Sequence, residues 1–158
     1  MELGKAAEAK IKEWLDRPEE GYSFDRIPDQ MNGFYQSCNI CDFILFKSPY
    51  MYYIESKATY SDRFDFSMIS DYQKENLLKK SNIDHVYGCI LVLFARYQKA
   101  FILNIKHIKQ LEMNNKHSLN IKKISSWEIP YFEISTIANS RKKLLDYTGE
   151  FNVPEYIS

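Results

Sequence analysis

The 158-residue chain carries 21 Lys and Arg against 21 Asp and Glu, a formal net charge of zero. That balance excludes a protein held to nucleic acid by bulk charge and leaves only local basic patches for such contacts. The length suits a single domain over residues 1–158 with a real core, and no leader pattern or apolar run near ~18 residues is visible, which predicts a soluble, cytoplasmic protein with no membrane partner.

Glu2 to Asp16 reads as a helix, with Leu3, Ala6, Ala7, Ile11, Trp14 and Leu15 forming a stripe near the 3.6-residue period. Pro18 and Gly21 end it. Glu8 lies beside the stripe, either as a solvated acid or as a carboxylate that reaches the next elements. Tyr22 to Ile27 reads as a first strand stopped by Pro28. The Asn, Gly and Ser content of residues 29–39 predicts a loop. Within it, residues 30–37 offer Phe34 and Tyr35 for stacking.

Residues 41–57 read CDFILFKSPYMYYIESK. Phe43 to Phe46 and Met51 to Ile54 are rich in aromatic and β-branched residues, and Ser48-Pro49 between them signals a turn. A hairpin centred there sets Asp42 opposite Glu55, roughly 5 Å away at Cβ. Lys57, two residues on, points to the same face. Two adjacent carboxylates repel when both are ionised, and a divalent cation removes that repulsion. Hard oxygen donors without a nearby His or Cys pair favour magnesium or manganese. Lys57 can orient an attacking water or stabilise developing phosphate charge. On spacing alone, a surface hairpin with an ordinary Glu-Lys pair is the commoner source of this pattern, because acid-x-Lys is frequent.

Residues 58–70 read as an irregular link in which Arg63 can contact a substrate. Ser70 or Asp71 caps a helix running to about Lys80. Gln73, near its start, can orient a water or a phosphate. Lys79 and Lys80 read as a solvated helix end or a contact to a phosphate backbone. Gly88 to Ala95 is nearly all apolar, as in a central strand covered on both faces. Lys99 to Ile105 is a second such strand after a tight connection, and Ile105 to Met113 a further helix. His85, His107 and His117 have no companions at ligand spacing and read as surface residues. Cys38, Cys41 and Cys89 are an odd number without a second pair to complete a zinc site, and read as reduced thiols. Lys116, Lys122 and Lys123 make a modest basic segment, by default a solvated loop. Trp127 to Ile134 reads as a short strand or an irregular packing segment, and Ile137 to Tyr147 as a last helix exposing Arg141, Lys142 and Lys143. The fold expected from this order is α/β, a mixed central sheet flanked by helices.

A helix bearing Glu, an Asp at a strand start, Glu-x-Lys on the paired strand and a following helix resemble the restriction-endonuclease-like PD-(D/E)xK nucleases. The match is closer to the RecU group of Holliday-junction resolvases. Four stretches carry it: Gly4 to Glu8, Asp42 to Phe46, Tyr53 to Thr59, and Phe64 to Gln73. Leu144 to Tyr147 adds to them. The resemblance implies Asp42 and Glu55 as ligands of magnesium or manganese, Glu8 as a contributing acid, Lys57 as the catalytic lysine, and Thr59 and Gln73 as supports. It further implies a homodimer that cuts branched DNA in recombination and repair. RecU proteins carry a long stalk before the catalytic Asp, whereas only 15 positions separate Ile27 from Asp42 here. Two other readings fit the residues: a nuclease for duplex or branched DNA without junction preference, and a non-catalytic DNA- or protein-binding module on the same fold.

Overall fold

The computed structural model describes residues 2–29, 39–137 and 146–151. Helix α1 (Leu3–Leu15) leads to strand β1 (Tyr22–Arg26) and the hairpin β2 (Phe43–Lys47) and β3 (Tyr50–Thr59). A short strand β4 (Arg63–Asp65) precedes helix α2 (Asp71–Ser81), followed by β5 (Val86–Phe94), β6 (Lys99–Asn104) and α3 (Ile105–Met113). Four short strands follow among the described residues: β7 (Ser118–Asn120), β8 (Phe132–Ile134), β9 (Thr136–Ile137) and β10 (Asp146–Tyr147).

Six strands form one mixed sheet in the order β1-β2-β3-β5-β6-β8. All pairs are antiparallel except β3 with β5, which run parallel from Met51 beside Val86 to Thr59 beside Phe94. A parallel pair needs a long crossover, and β4 with α2 supplies it. The apolar run of β5 is buried from Gly88 to Phe94 because it packs on both faces. On one face Cys89 and Leu91 join Leu45, Tyr52 and Ile54 beneath Ala7, Ile11 and Leu15 of α1. On the other, Ile90 and Val92 join Phe101 and Leu103 beneath Leu77 of α2 and Ile105 and Ile108 of α3. Each such aliphatic side chain removed from water contributes roughly 1.5–3 kcal/mol. The fold is thus the mixed, helix-flanked α/β sheet that the element order implies.

Several local expectations change. The link after Lys57 is ordered: β3 runs on to Thr59, and β4 pairs with β7 as a small ribbon. The basic segment around Lys122 belongs to that ribbon and the 3-10 turns Ile121–Ser126. Its Asn120 side chain accepts from the Lys122 N–H, at 2.9 Å. The ends of the expected last helix, Ile137 and Asp146–Tyr147, pair instead as strands. Residues 138–145, with Arg141, Lys142 and Lys143, lie outside the described residues, as do Phe34, Tyr35 and Cys38. His107 is half-buried rather than a surface residue, and its Nε2 has no hydrogen-bond partner among the described residues. Cys41 and Cys89 are free and buried.

Candidate active site

The β2–β3 turn is the Ser48-Pro49 pair, and the register runs from Lys47 beside Tyr50 to Phe43 beside Ile54. One step further, Asp42 stands next to Glu55. Its backbone is held from both sides: its N–H donates to the Ile54 carbonyl at 3.0 Å, and its carbonyl accepts from the Ile27 N–H at 2.8 Å. The Asp42 side chain accepts from the Ser56 N–H at 2.7 Å. These bonds fix the carboxylate by backbone rather than by flexible side chains.

Glu55 is 3% exposed. Lys57 Nζ lies 2.7 Å from its Oε1, whereas its Oε2 is buried without a hydrogen-bond partner among the described residues. Burial, then the neighbouring Glu55 carboxylate, push Asp42 up to about 7. Burial raises Glu55 as well, against the opposing pull of Lys57. The cause is the same for both: two acids in a poorly solvated corner cannot both ionise without a counter-charge. Beside them, burial pushes the Cys41 thiol up to about 12, so this cysteine stays protonated and is not a thiolate donor.

Gln73 approaches from α2. The helix opens with a reciprocal cap: Ser70 Oγ accepts from the Gln73 N–H and Gln73 Oε1 accepts from the Ser70 N–H, each at 3.2 Å. With its oxygen used in the cap, the Gln73 amide faces Glu55 and favours the charged carboxylate, a smaller effect than burial. The position of α2 over the sheet is tight. A Cβ on Gly88 of β5 would sit 2.3 Å from the Leu77 carbonyl oxygen, so only glycine lets the helix lie there.

Glu8 arrives from α1 on the other face of the sheet. Its charge raises both Asp42 and Glu55, and its own carboxylate pairs with Arg26 Nη2 at 2.8 Å. Arg26 escaped the sequence reading. Its only local signal was a cation at a strand end, and the partner lies on another element. Among the described residues no three His, Cys, Asp or Glu side chains are gathered at metal-holding distance; Asp42 and Glu55 form a pair, and Arg26 engages Glu8.

The structure therefore brings Asp42, Glu55, Lys57 and Gln73 to one corner, with Glu8 acting on the two acids through its charge from beside Arg26. Thr59 shares the face of Glu55 and Lys57, but its Oγ1 accepts from the Ser61 N–H at 3.0 Å and shapes the following turn. Arg63 is exposed on β4. Lys79 pairs with Glu75 at 3.0 Å along an exposed helix flank. Lys80 lies over the Tyr53 ring at 4.9 Å, and Tyr53 shares the carboxylate face of β3.

No curated protein matches the chain. Among solved structures, Hjc, a Holliday junction resolvase from Archaeoglobus fulgidus, superposes with a TM-score of 0.52 at 13% identity, covering 75% of this chain and 89% of that one. That likeness establishes a shared fold. A family model described as Recombination protein U matches residues 22–152, from β1 through the hairpin and both later helices. The chain belongs to the RecU family of recombination proteins.

Proposed function

We propose that this protein is an endodeoxyribonuclease that hydrolyses phosphodiester bonds in Holliday junctions, using magnesium or manganese held by Asp42 and Glu55. The observation that carries the reading is the buried Asp42–Glu55 pair with Lys57 at 2.7 Å and one Glu55 oxygen left without a partner. The donor set fits such an ion: two hard carboxylates, a thiol that burial keeps neutral beside them, and, among the described residues, no imidazole gathered with them. When bound, the cation offsets the charge of the two acids and supplies Lewis acidity at the phosphate.

The chain's own groups do the rest. Lys57, fixed by Glu55, places a positive charge where the attacking water and the scissile phosphate meet. Gln73 favours the charged form of Glu55 and helps to aim it. Glu8, tethered by Arg26, adds negative charge at the rim of the site. Two protomers acting on symmetric strands fit a homodimer, as junction cleavage requires paired incisions. Membership of a recombination family and the fold shared with a junction resolvase support the choice of substrate. The short approach between Ile27 and Asp42 favours a second reading, cleavage of duplex or branched DNA without junction preference.

The test is a cleavage panel of four-way junction, flap and linear duplex in magnesium, with wild type, Asp42→Ala and Lys57→Ala. Wild type is expected to prefer the junction, and each variant to lose at least ~100-fold in rate. Equal rates on junction and duplex select the second reading. Variants that cut as well as wild type reject the catalytic assignment.

A further inference from the structure

The ribbon of β4 and β7 builds a second basic feature outside the carboxylate corner. Arg63 of β4, Lys116 ahead of β7 and Lys123 in the turns after it line one groove of about 220 Å³, with Ser118 and Ser126 in its wall. Glu128 is the acid of that lining, and it pairs with Lys116 at 2.7 Å. Arg63 and Lys123 are both exposed, and neither forms an ion pair among the described residues. The neighbouring Lys122, by contrast, is matched by Asp62 at 3.2 Å. Arg63 meets Asp62 only through its charge, so two cations outside any ion pair face a groove whose one lining acid is already paired.

The scaffold under them is fixed. Arg63 stands beside Asn120 in the ladder, and Phe64 and Leu119 anchor the two strands in the core. The Ile121 N–H donates to the Asp62 carbonyl, and the Phe66 N–H to the His117 carbonyl, each at 2.8 Å. The groove is also tied to the active strand. Thr59 Oγ1 ends β3 by accepting from the Ser61 N–H, and Ser61 Oγ accepts from the Arg63 N–H at 3.1 Å. Arg63 thus follows the Glu55-Ser56-Lys57 strand through one ordered turn.

We infer that this groove is a phosphate-binding track for the nucleic-acid strand that leaves the carboxylate site, with Arg63 and Lys123 as its contacts. The planar guanidinium of Arg63 suits two oxygens of one phosphate, and Lys123 supplies a point charge for another. This inference rests on the nuclease reading only for the identity of the ligand. It adds a specific anchor on a chain whose net charge is zero, where bulk attraction is absent.

The experiment measures binding separately from cleavage. Wild type, Arg63→Ala/Lys123→Ala and Arg63→Lys/Lys123→Arg are titrated with fluorescent single-stranded, duplex and four-way-junction oligonucleotides in calcium, across a salt series. Inorganic phosphate at constant ionic strength is run as a separate ligand. Circular dichroism checks that the exposed substitutions leave the fold unchanged. The double alanine variant is expected to bind about tenfold more weakly, with a log K against log salt slope reduced by about 2, and the conservative pair to restore most of both. Unchanged affinity and slope, or no DNA binding by wild type, overturn the inference. Inorganic phosphate bound by wild type and lost in the variant, with DNA affinity equal, assigns the groove to a free anion and also overturns it. Wild type that binds DNA through the groove and cuts nothing in magnesium overturns the nuclease reading alone.

Discussion

At the scale of single residues, Asp42 and Glu55 stand side by side at the end of the hairpin register and repel each other when both are ionised. The folded state raises Asp42 to about 7, from an ordinary carboxylate value near 4, and raises Glu55 too. A raised acid stabilises the fold fully below its unfolded pKa and loses that contribution as pH climbs through the folded value. The metal-free protein should therefore lose stability between about pH 4 and pH 8, by up to a few kcal/mol. Urea midpoints across that range would show it, and a flat profile would rule the strain out. The same repulsion predicts that Asp42→Asn raises the urea midpoint at pH 8 while abolishing cleavage. Magnesium should raise the melting temperature of wild type more at pH 8 than at pH 5.5, and should barely move that variant. Equal magnesium shifts in both proteins would place the ion elsewhere.

At the scale of elements, the site depends on where α2 lies. Gly88 permits the approach of Leu77, and Ser81 Oγ reinforces it by accepting from the Gly88 N–H at 2.8 Å and donating to Asn104 Oδ1 at 3.1 Å. Gly88→Ala sets a methyl against a backbone oxygen that cannot rotate away, so a loss of about 3 kcal/mol is expected. An unchanged urea midpoint would mean that the helix shifts freely. Ser70→Ala removes one half of the reciprocal cap and should cost about 1 kcal/mol. It also loosens Gln73 over Glu55, so cleavage should fall by more than the stability change explains at 25 °C, where the fold remains populated. A cleavage rate equal to wild type would reduce Gln73 to a cap alone.

At the scale of the whole molecule, the sheet places its carboxylate corner where the β2–β3 hairpin meets the parallel partner β5, with α1 on one face and α2 on the other. One corner with one lysine makes one incision, and resolving a junction takes two. Sedimentation at micromolar concentration should return twice the 18.8 kDa protomer mass; a monomer that still resolves junctions would contradict the paired-incision scheme. No helix among the described residues is long and apolar enough to cross a membrane.

Much of this was legible in the chain itself. Hairpin geometry is local, so alternating aromatic runs and a Ser-Pro turn were enough to pair Asp42 with Glu55 and to point Lys57 the same way. The span of α3 and the cap at Ser70 were equally local. What the sequence could not carry was anything set by distant partners. The extension of β3 to Thr59 depends on the ladder from β5, and the β4–β7 ribbon joins segments more than fifty residues apart. Ile137 and Tyr147, at the ends of the expected last helix, are strand residues because each finds a partner across the intervening chain. Glu8 and Arg26 pair between a helix and a strand end. The sequence by itself determined which groups could do the chemistry, because strand periodicity fixes side-chain direction. Only the tertiary structure decided their electrostatic state, because desolvation and counter-charges come from the elements packed around them.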